Sequence, residues 1–340
     1  LGRRIRHLRA TAGMTLDELG AAVGRAASQV SMLENGQARA AAEKLLANYR
    51  GNPKGERAAV FLTFDFQGGE DVKPDKNGIL NYEMWSQGEY GPHHAVYRLL
   101  RVLKEENVKA TFITCGAIAE RYPDAVKAIL DHGHVVEGHG YNHEIARYLP
   151  RDEEDDIMKR AIAMIKSRTG RRPMGWRSCT QSTNSIDLLI ENGFAYNTNV
   201  FHEELPYLYE KNGKILVELP RQPFGDGTLF GHRHGEFGNP FFGLEVWKAY
   251  VDEMWAESAA SPKYIPFTCH PYIIGRPGRT LALRGIIQHL KKISDGKVWF
   301  ATGQEIAEWC VNDLFKAEIA KIKHTAPDAL ESVIEVAEVS

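Results

Sequence analysis

The chain has 340 residues, 43% of them hydrophobic and 25% charged, with a net charge of −2. These values exclude a disordered or low-complexity chain and leave room for two domains and a large core. No run approaches the ~18 consecutive apolar residues a membrane span needs. The four cysteines, Cys115, Cys179, Cys269 and Cys310, are scattered and form no C-x-x-C pair. Together with a basic N-terminal stretch that has no apolar core or cleavage site, they predict reduced thiols in a cytoplasmic protein. The charge is uneven. Residues 1–50 hold eight Lys and Arg against four Asp and Glu, so 8 − 4 = +4, leaving −6 for the remainder. A basic module on an acidic body suggests that the first part alone faces a polyanion.

The first elements are short helices. Ile5, Leu8 and Met14 punctuate a basic helix that Gly13 ends. Thr15 is an N-cap, with Glu18 three residues on as its capping-box partner. Leu16, Leu19 and Val23 face inward on the second helix, and residues 26–36 form a third, closed by Asn35-Gly36. The phrases Leu-Asp-Glu-Leu-Gly, Ser-Gln-Val-Ser and Leu-Glu-Asn-Gly resemble the Cro/C1-type helix-turn-helix domain over residues 1–50. The resemblance implies that Ser28, Gln29 and Ser31 face DNA from the recognition helix, with Arg3, Arg4 and Arg25 near the backbone. The recognition helix carries little positive charge, so a dimerisation or assembly module is the competing reading. Residues 51–57, with Asn52-Pro53-Lys54-Gly55, form the linker.

From residue 58 the pattern changes to alternating strands and helices. Residues 58–64 are a nearly continuous apolar strand of the buried parallel type. A helix over 93–106 places Val96, Leu99, Leu100 and Leu103 on one face. A strand over 110–114, a helix over 118–131 and a strand over 134–139 follow. The helix over 152–169 starts acidic and ends basic, as its dipole prefers. A short strand ends at Arg177, and a helix runs over 185–193. Later strands cover 215–219, 264–269 and 298–301. About seven strands in such alternation predict a distorted (β/α) barrel, an α/β fold with its chemistry at the strands' C-terminal ends.

Those ends carry Asp65, His139 with His143, Arg177, Asp226 and His270. Two imidazoles four residues apart on one side are two-thirds of a three-ligand metal site with an open position. A metal would polarise a carbonyl and activate water, a carboxylate would take the water's proton, and a histidine would protonate a leaving nitrogen. His93-His94 read as helix-capping or surface groups. The Gly-rich stretch from Phe224 to Phe242, with His232-Arg-His234, reads as a substrate lid or a subunit contact, with Phe230, Phe237, Phe241 and Phe242 against a ligand. Residues 311–340 read as a C-terminal helical extension.

Phe-Leu-Thr-Phe-Asp65, Gly-His139-Gly-Tyr-Asn-His143, Gly-Trp-Arg177 and Phe-Thr-Cys-His270-Pro resemble the polysaccharide deacetylase (NodB-homology, carbohydrate esterase 4) superfamily over residues 58–310. Gln67-Gly-Gly-Glu70, Glu204-Leu-Pro-Tyr207 and the stretch His270 to Arg279 are similar to its allantoinase and cyclic-imidase branch. The resemblance implies a barrel of the NodB-homology type. It implies His139 and His143 as metal ligands, Asp65 as base held by Arg177, and His270 as acid. The family's second aspartate is absent: Phe66 follows Asp65, and Gln67 stands where the imidase branch has its second carboxylate. Either Asp65 completes the metal set with His139 and His143, or Glu70 does, or the metal is weakly held. Glu70, Trp176 (packed under Arg177), Asp226 and His232 are the expected substrate-binding residues. The expected protein is therefore a hydrolase of amide, cyclic-amide or N-acetyl C–N bonds. It would use a divalent metal, zinc or similar, act on a small substrate and form a dimer or tetramer away from any membrane. A sugar-polymer N-deacetylase, or a DNA-binding regulator whose barrel senses a ligand, is the alternative.

Overall fold

β1 (Ala58–Phe66) organises the molecule, and its nine residues are all buried. In the computed structural model, which describes residues 14, 15, 18, 55–231 and 240–325, β8 (Lys263–Cys269) runs parallel to β1 from Ala58 to Phe64 along one edge. The other edge is shared. β9 (Val298–Ala301) takes Ala58–Phe61, and β2 (Thr111–Thr114) takes Thr63–Phe66. The sheet continues through β3 (Val135–Gly138), β4 (Gly175–Trp176), β5 (Tyr196–Asn197) and β7 (Lys214–Glu218) to β6 (Tyr207–Lys211). Every pairing is parallel except the β6–β7 hairpin. Its turn, Asn212-Gly213, has both residues at positive φ (53° and 77°), as a two-residue hairpin turn requires. Among the described residues β6 and β8 do not pair, so the curled sheet stays open on that side.

Alternation along β1 separates two environments. Ala58, Val60, Leu62, Phe64 and Phe66 face the layer between sheet and helices. Phe61 faces the interior, where Tyr196, Val217, Tyr264 and Ala301 form an apolar plug. Thr63 and Asp65 follow on the interior face, above the plug. A polar floor at the strands' C-terminal end thus follows from one strand's pattern.

The helices pack outside. α1 (Tyr82–Tyr90) leads through a π turn at Gly91–Ala95 into α2 (Val96–Glu105). α2 buries Val96, Leu99, Leu100 and Leu103, the expected stripe. The helix expected over 118–131 is two helices, α3 (Gly116–Arg121) and α4 (Pro123–Asp131). Tyr122 breaks it (φ −127°, ψ 57°), because a residue before proline is steered out of the helical region. α5 (Arg151–Thr169) ends at Gly170 in the left-handed conformation. α6 (Ser185–Glu191), α7 (Asp226–Phe230), α8 (Pro240–Glu257), α9 (Pro271–Ile274), α10 (Arg279–Ser294), α11 (Gly303–Trp309) and α12 (Lys316–Thr325) complete the order.

α7 takes up residues 226–230 of the stretch read as a lid loop, and α8 begins at its far end, at Pro240. Phe230, expected against a ligand, is instead buried edge-on against Trp247, 5.3 Å between centroids. Near the N-terminus the expected capping box forms: Thr15 N–H donates to Glu18 Oε2 (2.7 Å) and Glu18 N–H to Thr15 Oγ1 (3.1 Å). Ser28, Gln29, Ser31 and His232 lie outside the described residues. No helix among those described is long and apolar enough to cross a membrane.

Candidate active site

Arg177 follows the two-residue β4 and crosses the barrel interior. Its backbone N–H donates to Gly138 O (3.0 Å). Its guanidinium uses four of its five N–H donors: Nε donates to Thr198 O (2.9 Å), Nη2 to Thr198 Oγ1 (3.0 Å), and Nη1 to Thr63 Oγ1 (2.9 Å) and to Asp65 Oδ1. Thr63 Oγ1 in turn donates to Phe267 O (2.8 Å), tying the cluster to β8. Burial pushes the Asp65 carboxyl up. The charge of Arg177, with smaller help from His139, Arg221 and His270, outweighs it and holds Asp65 well below the usual carboxylate range.

His270 stands at the end of β8. Asp226, at the start of α7, accepts from its backbone N–H (2.7 Å) and from its ring Nδ1 (2.7 Å). That leaves Nε2 directed at Asp65 Oδ2, 4.0 Å away. Burial works against a charged ring here, but the Asp226 carboxylate outweighs it, and the His270 pKa is raised. Asp65 and His270 are neighbours pushed in opposite directions, one to stay ionised and the other to keep its proton. That is the pattern of a base and an acid.

His139 continues β3. Its Nδ1 donates to the Arg177 carbonyl (2.6 Å), so the lone pair is on Nε2. That atom is buried and has no hydrogen-bond partner. Burial lowers the ring's pKa in spite of Asp65, which keeps it neutral. His143 approaches from a tight loop, not a helical turn. It has φ 54°, after Gly140 at φ 73°, and Glu144 closes the loop by accepting from Tyr141 N–H (2.9 Å) and Asn142 N–H (2.8 Å). The two imidazole centroids are 4.8 Å apart, which lets both rings reach one ion. A neutral imidazole with one nitrogen fixed by a carbonyl and the other orphaned is the usual form of a metal-ligating histidine.

Among the described residues no three His, Cys, Asp or Glu side chains form a metal-holding group. Asp65 gives one carboxylate oxygen, Oδ1, to Arg177. Glu70, the alternative ligand and an expected substrate contact, accepts from Gly68 N–H and pairs with Arg121. Gln67 is buried, and its Oε1 has no hydrogen-bond partner.

Trp176 packs beneath Arg177, as expected: it is buried, with Nε1 donating to Ser178 Oγ (2.9 Å) and its indole over Gly138. Asp226 is fully buried and gives both oxygens to His270, so it orients that ring and is not a substrate contact.

Arg221 was not anticipated. It follows β7 by three residues, in Leu-Pro-Arg, and its Nη2 lies 4.0 Å from Asp65 Oδ2. The same strand-end rule that selected Arg177 would have found it. Buried Glu137 is a second omission. It accepts from Met174 N–H (2.6 Å) and Gly175 N–H (2.8 Å), pinning β4 to β3, and burial raises its carboxyl to about 7.

Residues 85–196 match the polysaccharide deacetylase family, and residues 1–58 match a helix-turn-helix domain. The crystal structure of a putative polysaccharide deacetylase from Mycobacterium smegmatis is 30% identical, with a TM-score of 0.69, covering 76% of this chain and 91% of that one. The chain belongs to the polysaccharide deacetylase family. Its enzyme class is therefore a hydrolase of carbon–nitrogen bonds other than peptide bonds, carried on a NodB-type barrel. This family member also resembles the Puue allantoinase, at 26% identity and a TM-score of 0.71 over 78% of this chain and 94% of that one. The peptidoglycan deacetylase of Helicobacter pylori is 26% identical over 276 residues, 71% of this chain and 89% of the relative.

Proposed function

We propose that this polysaccharide deacetylase-family protein is a metal-dependent hydrolase of a small amide or cyclic amide. The observation that carries this reading is the convergence of an ionised Asp65 and a proton-holding His270, 4.0 Å apart, on one point above the barrel plug. Asp65 takes a proton from water, whose hydroxyl adds to the acyl carbon. His270 Nε2 gives its proton to the leaving nitrogen as the C–N bond breaks, and the proton on Asp65 can then restore His270.

A carboxylate held as low as Asp65 is a weak base toward ordinary water, which is the chemical reason for an ion beside it. The residues that would hold the ion are His139, His143 and the amide oxygen of Gln67. The register supports Gln67. Phe66, Thr114 and Gly138 lie in one row, so Gln67 and His139 end β1 and β3 at the same level on either side of β2. When bound, a divalent ion such as zinc supplies an acidified water and a Lewis acid for the carbonyl.

The similarity to a peptidoglycan deacetylase favours a second reading, N-deacetylation of a sugar polymer. A panel of allantoin, hydantoins, cyclic imides and N-acetylglucosamine oligomers separates the two. Activity on the small rings supports the first; activity on the oligomers alone overturns it. Through residues 1–58, DNA is a further partner. A mobility-shift selection from random duplexes at two salt concentrations tests it, since phosphate contacts make affinity fall steeply with salt. A strong site with no hydrolysis of any substrate would favour a ligand-sensing regulator instead.

A further inference from the structure

The catalytic cluster contains a second guanidinium that the proposed chemistry does not use. Arg177 spends its donors on Thr63, Asp65 and Thr198. Arg221 does not. Its Nε reaches Thr268 Oγ1 at a long 3.4 Å, and Asp65 Oδ2 at 4.0 Å is beyond hydrogen-bond distance. Glu218, the other nearby carboxyl, is occupied by Asn197 Nδ2 (2.5 Å) and the N–H groups of Asn199 (2.9 Å) and Val200 (3.2 Å). Burial and the like charge of Arg177 bring Arg221 down to about 10, so it is still a cation at neutral pH.

Exposure shows which side it faces. The side chains of Arg177, Asp65 and Asp226 are 1%, 4% and 0% exposed, whereas Arg221 and His270 are 17% and 15% exposed. These two are the members of the cluster that reach solvent, and both stand 4.0 Å from the same Asp65 oxygen. Phe201, half-exposed, lies under the guanidinium with its ring centroid 5.1 Å from Cζ. The backbone holds the arrangement: Arg221 N–H donates to Val200 O (2.7 Å). A desolvated guanidinium with donors left over, backed by an aromatic ring, is built to receive a planar pair of oxygens.

We propose that Arg221 is the carboxylate-recognition residue of this site, its donors taking the oxygens of a carboxylate placed on the solvent side of Asp65 and His270. The inference rests on the hydrolase reading, and it narrows the substrate. The carboxylate is either a substituent of a small amide or the acid group that hydrolysis releases from the acyl carbon. A neutral sugar oligomer offers the first kind to no extent and the second only after cleavage.

The test uses the full chain, native and as Arg221→Gln and Arg221→Lys, with thermal melts to confirm folding. Acetate is titrated by calorimetry at neutral pH. Binding at least about tenfold weaker in Arg221→Gln, partly restored in Arg221→Lys, is the expected result, since a charged donor is being lost. Hydrolysis of N-acetylglycine is then compared with that of N-ethylacetamide, a neutral amide of similar length. A native KM preference for N-acetylglycine that vanishes in Arg221→Gln assigns the carboxylate to the substrate. Acetate inhibition of both reactions that is lost in Arg221→Gln assigns it to the product. Unchanged acetate binding in Arg221→Gln overturns the proposal, and with a shifted acidic limb of the pH profile it leaves Arg221 as a support for Asp65. If neither amide is cleaved, the hydrolase reading fails for these substrates, while the acetate titration still decides Arg221.

Discussion

Asp226 binds His270 twice, one oxygen on the backbone N–H and the other on ring Nδ1, each at 2.7 Å. The pair fixes the tautomer and raises the ring's pKa against the pull of burial. His270 serves as an acid only while protonated, so activity should fall as pH rises through its pKa. Asp226→Asn removes the negative charge and lowers that pKa. The alkaline limb of kcat/KM should therefore move to lower pH, and the rate at neutral pH should drop by about 10²–10⁴, the range for loss of general acid catalysis. A limb that stays in place would show that another group sets it.

Asp65→Asn keeps the shape of the base and removes its charge. Turnover should fall by about 10²–10⁴ on whichever amide the native protein cleaves. The same change leaves Arg177 buried without its counter-ion. Breaking such a pair costs about 3–5 kcal/mol, so a denaturant titration should show the loss beside the kinetics. Full stability with no activity would mean that the pair is neutral for folding and serves the chemistry alone.

The ion site proposed above, two imidazoles and one amide, would have no charged ligand, so it should hold zinc loosely. A chelator should remove the ion and the activity together, and His139→Ala should abolish binding. Gln67→Asp puts a carboxylate in place of that amide and should tighten zinc at least about tenfold, read by competition with a coloured chelator. Equal affinity in Gln67→Asp and native protein would place the third ligand elsewhere.

Gly138 has no room for a side chain, because a Cβ there would overlap the Trp176 indole. Gly138→Ala must displace that ring, and Arg177 is the next residue. Overpacking of this kind costs about 1–3 kcal/mol, and the melting temperature should fall accordingly. Activity should fall further than stability alone accounts for, since the Arg177 carbonyl also fixes His139.

Much of this was legible because strand ends obey a simple rule. Asp65, His139, Arg177 and His270 each close an apolar run, and the structure brings Asp65 together with Arg177 and with His270. The strand over 298–301 and the stripe on α2 are visible in periodicity alone. The short β4 and β5, two residues each, are not: their register comes from Glu137 holding the Met174 and Gly175 amides, a contact no periodicity announces. Trp176 was placed under Arg177, but that its indole covers Gly138 was not visible in sequence. Asp226 was found, but its role depends on a contact made across 44 residues of chain. Arg221 was missed because it stands beyond the strand end, past Leu219 and Pro220, and the strand-end rule was applied only to the residues next to each run.

The shared edge of β1 has a consequence for how the protein is made. β1 is synthesised early, yet both of its neighbours over the first half, β8 and β9, come last, and Thr63 waits for the carbonyl of Phe267, 204 residues downstream. Contacts so distant in sequence slow folding, and they leave the first half of the central apolar strand unpaired until β8 and β9 emerge. Asp65 cannot meet His270 until β8 has been translated. A chain that stalls before β8 exposes a sticky strand and carries no catalytic pair, so incomplete copies are inactive and become targets for chaperones or proteases.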